Sequence, residues 1–300
     1  MLRWLAVGGV TVAVVAAIAV RSAGARWQRQ TAGLSDRIVA AAGASGVSAG
    51  RSAIDLAAID AAPSLPEPVR RYFRATLLRG QGVIRAARLD SAGSFRQVAA
   101  GDGLGPEAGW MPFTATQTFT ADPPAFVWAA RMRMFPLVDV YVRDGYVNGR
   151  GSMQAAALGL VTVVDARDAP GLDAGALLRY LAEAAWFPTA LLPGPRLAWT
   201  GIDATHARAM LRDGPTEAAA IFEFDAAGDI VTVSARRPMA AGDGYVLASW
   251  QGRFWQHEER DGLRIPLQGE VAWLLDGEWR PYWRGQIVHV EYDASERATR

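Results

Sequence analysis

A glutamate framed by aromatic residues on one helix is the part of this chain closest to chemistry. In Arg179-Tyr180-Leu181-Ala182-Glu183-Ala184-Ala185-Trp186-Phe187, the residues Tyr180, Glu183 and Phe187 are spaced three and four apart. They therefore share one helix face. That face is distinct from the apolar stripe of Leu177, Leu181 and Ala184. A carboxylate so placed has three uses. It can pair with Arg179 at i, i+4, line a pocket, or work as a general acid or base. An enzyme would need a second carboxylate converging on it, and Glu270 is the candidate.

Other apparent motifs fail on context. Gly46-Val47-Ser48-Ala49-Gly50 has the spacing of a nucleophile elbow. That motif needs a buried strand before it and a helix after it, and here it sits in a small-residue linker. Gly101-Asp102-Gly103-Leu104-Gly105 lacks phosphate-loop spacing and a parallel βαβ setting. His206, His257 and His289 show no metal-ligand spacing, and the chain has no Cys. No metal and no cofactor are expected.

The elements that would position Glu183 follow from patterning. Three hundred residues, 51% apolar and 20% charged, describe a globular chain with net charge +1. No strong field draws it to nucleic acid. Every basic residue is Arg, which points to a GC-rich bacterial genome. Nine of the 11 Trp lie after residue 100 and require a core, a cavity or an interface.

Leu65-Pro66-Glu67-Pro68 opens a helix, with proline and an acid in its first turn. Val69, Tyr72, Phe73, Thr76 and Leu77 form its buried face. Arg70, Arg71, Arg74 and Arg79 make a basic face, either solvated or touching lipid head groups. A second helix covers Leu172 to Leu192. The remainder alternates as strands. Val83–Val98 reads as a hairpin turning at Ser91-Ala92-Gly93, and Asp144-Gly145 as a tight turn. Further turns fall at Asp213-Gly214, Gly228-Asp229, Asp261-Gly262 and Asp276-Gly277. The fold class is α+β and mostly antiparallel. It is a curved, open or half-closed barrel-like sheet on two or three helices, plus an N-terminal transmembrane helix.

That last element is Trp4 to Val20, 17 uncharged residues between Arg3 and Arg21. As a helix it covers roughly 26 Å, at the short end for a bilayer core. A cleaved signal peptide (with Ala23-Gly24-Ala25 as its site) and a buried core helix are the other readings; an uncleaved anchor fits the length and the flanking Trp4 and Trp27. The arginines after the segment favour a cytoplasmic domain, but long domains translocate regardless of flanking charge, and an extracytoplasmic domain is the expectation. The chain thus divides into an anchor or signal (1–25), a helical extension and flexible linker (26–53), a β-rich domain (54–293) and a disordered tail (294–300).

Several segments together resemble an uncharacterised bacterial family known only as a domain of unknown function. They are Leu65-Pro66-Glu67-Pro68-Val69-Arg70-Arg71-Tyr72, Trp110-Met111-Pro112-Phe113-Thr114-Ala115, Leu178-Arg179-Tyr180-Leu181-Ala182-Glu183, Trp186-Phe187-Pro188-Thr189-Ala190-Leu191-Leu192-Pro193, Arg264-Ile265-Pro266, Gly269-Glu270-Val271-Ala272-Trp273 and Pro281-Tyr282-Trp283-Arg284-Gly285. The resemblance spans about residues 60 to 292 and implies no activity. In architecture alone the plan is similar to LolA/LolB-type lipoprotein carriers, which implies an apolar cavity for acyl chains. The expected function is therefore a membrane-anchored, non-enzymatic envelope module binding a lipid or an acylated protein. On the sheet, Trp128, Arg131, Trp250, Trp255, Glu270 and Trp273 are the expected ligand contacts. On the helix, acting as a lid, they are Tyr180, Glu183, Trp186 and Phe187. The alternatives are the Glu183/Glu270 enzyme and a structural domain whose Trp residues are all core.

Overall fold

A computed structural model describes residues 2–44, 54–78, 81–99, 103, 105, 107–135, 138–242 and 244–294, with side chains from Val15 to Asp293. Helix α1 (Leu2–Ala44) opens the chain, and α2 (Leu56–Ala61) and α3 (Glu67–Thr76) follow. Six strands come next: β1 (Ile84–Phe95), β2 (Met111–Thr120), β3 (Ala125–Phe135), β4 (Val138–Val147), β5 (Arg150–Ala157) and β6 (Val161–Arg167). Helix α4 (Pro170–Glu183) and two 3-10 turns (Ala184–Trp186 and Pro188–Leu191) interrupt them. Seven strands complete the domain: β7 (Leu197–Gly201), β8 (His206–Asp213), β9 (Thr216–Phe224), β10 (Ile230–Ala241), β11 (Gly244–Arg260), β12 (Leu263–Leu275) and β13 (Glu278–Ala294).

All thirteen strands form one antiparallel sheet in the order β6-β5-β4-β3-β2-β1-β13-β12-β11-β10-β9-β8-β7. It is two up-and-down meanders joined where β1 pairs β13. The sheet is a curved half-barrel, and one hydrogen bond gives the measure of its curvature. Strands β4 and β8 are nine positions apart in the order. On a flat sheet that is about 43 Å. Yet the Tyr146 hydroxyl donates to Asp213 at 2.9 Å. Helix α4 likewise touches β4 and β5 on one flank and β9, β10 and β11 on the other.

The sheet curls because its inner face must be covered, and α4 with its two turns covers it. Leu177, Leu181, Phe187 and Leu191 are buried to 1% exposure or less. Phe187 stacks on Phe119 with centroids 4.5 Å apart and meets Tyr180 edge-on at 5.5 Å. The centre is occupied by the protein's own side chains, where a ligand hollow was expected. Helix α3 closes one end of the sheet. Its five expected core residues, Val69, Tyr72, Phe73, Thr76 and Leu77, are all buried. Of its basic face, Arg70 and Arg74 pair with Glu67, and Arg71 donates to the carbonyls of Ala204 and Asp225. Arg79 lies outside the described residues.

Local differences from the sequence reading have local causes. Val83–Val98 is no hairpin, because β1 runs straight through Gly93. That glycine marks a close approach: a Cβ there would sit 2.0 Å from the Arg284 carbonyl oxygen. Asp144-Gly145 lies inside β4, and the turn falls at Asn148-Gly149, both at positive φ. Two turn signals compete within six residues, and inward pairing of Asp144 decides between them. Helix α4 ends at Glu183, where tighter 3-10 turns replace it as far as Leu191. Strand β6 was not foreseen. Helix α1 continues to Ala44, well into the stretch 26–53 expected as helical extension and linker. Residues 45–53 and the tail from 295 lie outside the described residues, as do the side chains of most of Trp4–Val20. Among the described residues, no helix is long and apolar enough to cross a membrane.

Candidate functional site

The inner face carries a charged cluster under α4. Arg179 projects from the helix between the rings of Phe126 and Trp128, with its guanidinium carbon 5.1 and 5.0 Å from their centroids. It donates to Asp144 of β4 at 2.5 Å and to Glu183 at 2.9 Å. Gln117 of β2 donates to the other Glu183 oxygen at 2.7 Å. Two carboxylates thus face one cation in a buried site. Burial pushes the Glu183 carboxyl above the usual range, against the pull of Arg179 and Gln117. Burial also opposes the Arg179 charge, but Glu183 and Asp144 outweigh it and hold the guanidinium protonated.

An aromatic seam adjoins this cluster. Trp186 meets Phe254 edge-on at 5.9 Å and lies 6.2 Å from Trp283. Trp283 stacks on Phe113 at 5.9 Å, and Phe113 touches Trp128 at 5.7 Å. Glycines make the floor. Phe254, Gly269, Gly285, Gly93 and Phe113 pair in succession across five strands. The Trp283 ring lies flat over Gly285, where a Cβ would come within 2.4 Å of it. Among the described residues, the buried indole N–H groups of Trp186 and Trp283 find no acceptor.

A third group lies beside α4. The Arg237 guanidinium stands over Trp250 (5.4 Å) and Trp273 (5.7 Å), and donates to the Tyr282 hydroxyl and the Gly175 carbonyl. The Trp250 indole donates to the same hydroxyl at 2.9 Å.

Of the expected contacts, Trp128, Tyr180, Glu183, Trp186, Phe187, Trp250 and Trp273 meet on the inner side. Arg131, Trp255 and Glu270 do not join them, and this corrects the sequence reading. Arg131 pairs with Asp139, the indole of Trp255 donates to Gln268 in solvent, and Glu270 pairs with Arg284 at 2.8 Å. The reason is parity. Arg131 is three residues from Trp128, Trp255 five from Trp250, and Glu270 three from Trp273, and odd separations on a strand point to opposite faces. Glu183 and Glu270 therefore stand on opposite sides of the sheet. Sequence reasoning missed Gln117, Asp144, Phe113, Arg237, Phe254, Tyr282 and Trp283. Strand parity with the glycines would have found Phe113, Phe254 and Trp283. Asp144 was hidden by its turn-like neighbour Gly145. Among the described residues, no group of three His, Cys, Asp or Glu is placed to hold a metal ion.

A family model described as a family of unknown function, DUF6920, matches residues 63–292. The chain belongs to this family. No curated protein matches it. Among solved structures, a LolA superfamily protein from Nitrosomonas europaea is similar at 8% identity and TM-score 0.39, over 75% of this chain and 92% of that one. A beta-barrel-like protein of the family DUF1849 from Brucella abortus gives 10% identity and TM-score 0.22, over 71% and 99%. Neither likeness is close enough to carry an argument about ligand or partner.

In this DUF6920 member the charged cluster has a measurable pH signature. A carboxyl held above its unfolded value keeps its proton in the folded state after the unfolded chain has released one. Stability then falls as pH rises from the ordinary Glu value near 4.3 towards the raised one. Glu183→Gln removes that slope. The difference in melting temperature between Glu183→Gln and wild type is expected to shift in favour of the variant from pH 4.5 to pH 7.5. A difference that stays flat over this range would show that Glu183 titrates normally.

Proposed function

We propose that this protein is a membrane-anchored bacterial envelope protein, with its domain extracytoplasmic, that binds a hydrophobic ligand at the seam between α4 and the inner sheet face. The ligand is an acyl chain bearing an ester or amide carbonyl, on a lipid or on an acylated protein. The observation that carries this reading is the pair of orphaned indole donors at Trp186 and Trp283. A buried donor without an acceptor costs about 1–3 kcal/mol. Carbonyl oxygens at the seam would satisfy both, while Phe113, Phe254 and Trp128 cover the chain beside them. The segment 187–192, just beyond Trp186, fills this place in the structure and holds it by a short 3-10 turn, a weakly bonded helix. Binding is then an exchange, with that segment moving out as a lid. The tether is Trp4–Val20, the N-terminal part of the unbroken helix α1.

Native mass spectrometry of the full chain extracted from membranes tests this, together with uptake of a fluorescent fatty acid. A co-purifying acyl species is expected. Trp283→Phe and Trp186→Phe leave the fold intact and lower fatty-acid affinity by about tenfold each, the worth of one lost hydrogen bond. Absence of any bound species and of uptake would end the proposal. A second reading, a tethered scaffold without ligand, is favoured by the filled centre around Leu177, Leu181 and Phe187. It expects unaltered behaviour in both Trp variants.

A further inference from the structure

We infer that the end of the half-barrel formed by the β3–β4 and β5–β6 hairpins rests on a lipid bilayer. This builds on the anchoring reading of Trp4–Val20 and adds a second contact to it. The Leu158 N–H donates to the Asp139 carbonyl at 2.8 Å, which sets the two hairpin tips side by side. Helix α1 lies along the outer wall above them. Its buried stripe is Ala23, Thr31, Ile38 and Ala42, with Trp27 under the Arg143 guanidinium at 4.7 Å. Ile38 packs on Ala125 and Val127 at the far end of β3. At the near end, a Cβ on Gly159 would lie 3.0 Å from the Ala23 backbone, and one on Gly24 would lie 2.6 Å from the Tyr141 hydroxyl.

Residues 15–19 are exposed, so the helix leaves the wall at Ala23. Ala23 lies only three residue steps, about 4.5 Å of helix, beyond Val20. If Trp4–Val20 spans the membrane, the hairpin tips must reach the head-group layer. They are built for it. Phe135 (61% exposed), Leu160 (53%) and Val161 (63%) project there with Met134 and Val163. An exposed apolar patch marks an interaction surface. Exposed Arg21 and Arg26 flank it on α1 and suit anionic head groups. The basic face of α3, for which the sequence allowed a solvated or a lipid-facing role, lies at the opposite end, with Arg71 against the Ala204 and Asp225 carbonyls. The occupant is therefore a bilayer surface at the tips and not at α3.

The chain has no cysteine, so single-cysteine variants can be labelled cleanly. Phe135→Cys and Leu160→Cys report the tips. Ile202→Cys reports an apolar residue of similar exposure in the β7–β8 turn, at the opposite end. Full-length protein carrying an environment-sensitive dye is reconstituted into phosphatidylcholine–phosphatidylglycerol vesicles containing a shallow nitroxide lipid. Quenching at least about twofold stronger at 135 and 160 than at 202, with a blue shift, is expected for groups at interfacial depth. Equal quenching at all three positions in protein that floats with the vesicles overturns the resting surface and leaves the tether standing. Protein that fails to float overturns both.

Discussion

Replacing Arg179 by Met is expected to destabilise the domain by about 3–5 kcal/mol, the effect of removing one partner from a buried ion pair. The substitution keeps the apolar stem and deletes the guanidinium that stands over Phe126 and Trp128. Asp144 and Glu183 are then left facing one another without a counter-charge, each with roughly 15% of its side chain exposed. For a domain of this size the melting temperature should fall by roughly 10 °C. The cause is separable from lost packing. Adding Asp144→Asn and Glu183→Gln to the Met variant removes the stranded charges and should restore most of the stability. A lone Met variant that melts within about 1 kcal/mol of wild type would show the cluster to be solvated.

Phe187→Ala has a comparable expected effect, with a different origin and a functional consequence. Phe187 is 1% exposed and sits at the centre of the half-barrel against Phe119 and Tyr180. Truncating a buried Phe costs about 3–5 kcal/mol, part of it for the cavity left behind. Phe119 and Tyr180 line that cavity, the Tyr180 hydroxyl being already bonded to the Thr120 carbonyl, and an apolar void stays dry and accepts small apolar molecules. Denaturant unfolding should therefore show the loss, and saturating benzene should recover part of it. Under the acyl-binding reading the variant also takes up fluorescent fatty acid faster than wild type, because the plug is shortened. Unchanged uptake in a folded variant would favour the scaffold reading.

How much of this was legible before the fold was known differs from element to element. The α3 core face was readable in full, because five residues at 3.6 periodicity admit one buried side. Most turns were readable for the same local reason: Asp261-Gly262 and Asp276-Gly277 sit at positive φ, as a two-residue hairpin turn demands. The pairing of Arg179 with Glu183 followed from helix spacing. The antiparallel, curling sheet followed from strand number and the regular turns.

What the chain could not reveal alone is which face of each strand is concave, and what stands opposite it. Gln117 and Asp144 meet Glu183 across separations of 66 residues and, through Arg179, 35. Tyr146 reaches Asp213 only after nine strand spacings have curled back on themselves. Those partners are set by register and closure, which are global properties of the sheet. A one-residue shift of register exchanges every inner side chain for an outer one. Local patterning thus determined that a half-barrel would form and that α4 would pack inside it. Tertiary closure alone decided which face of each strand is the concave one, and that aromatic side chains fill the interior.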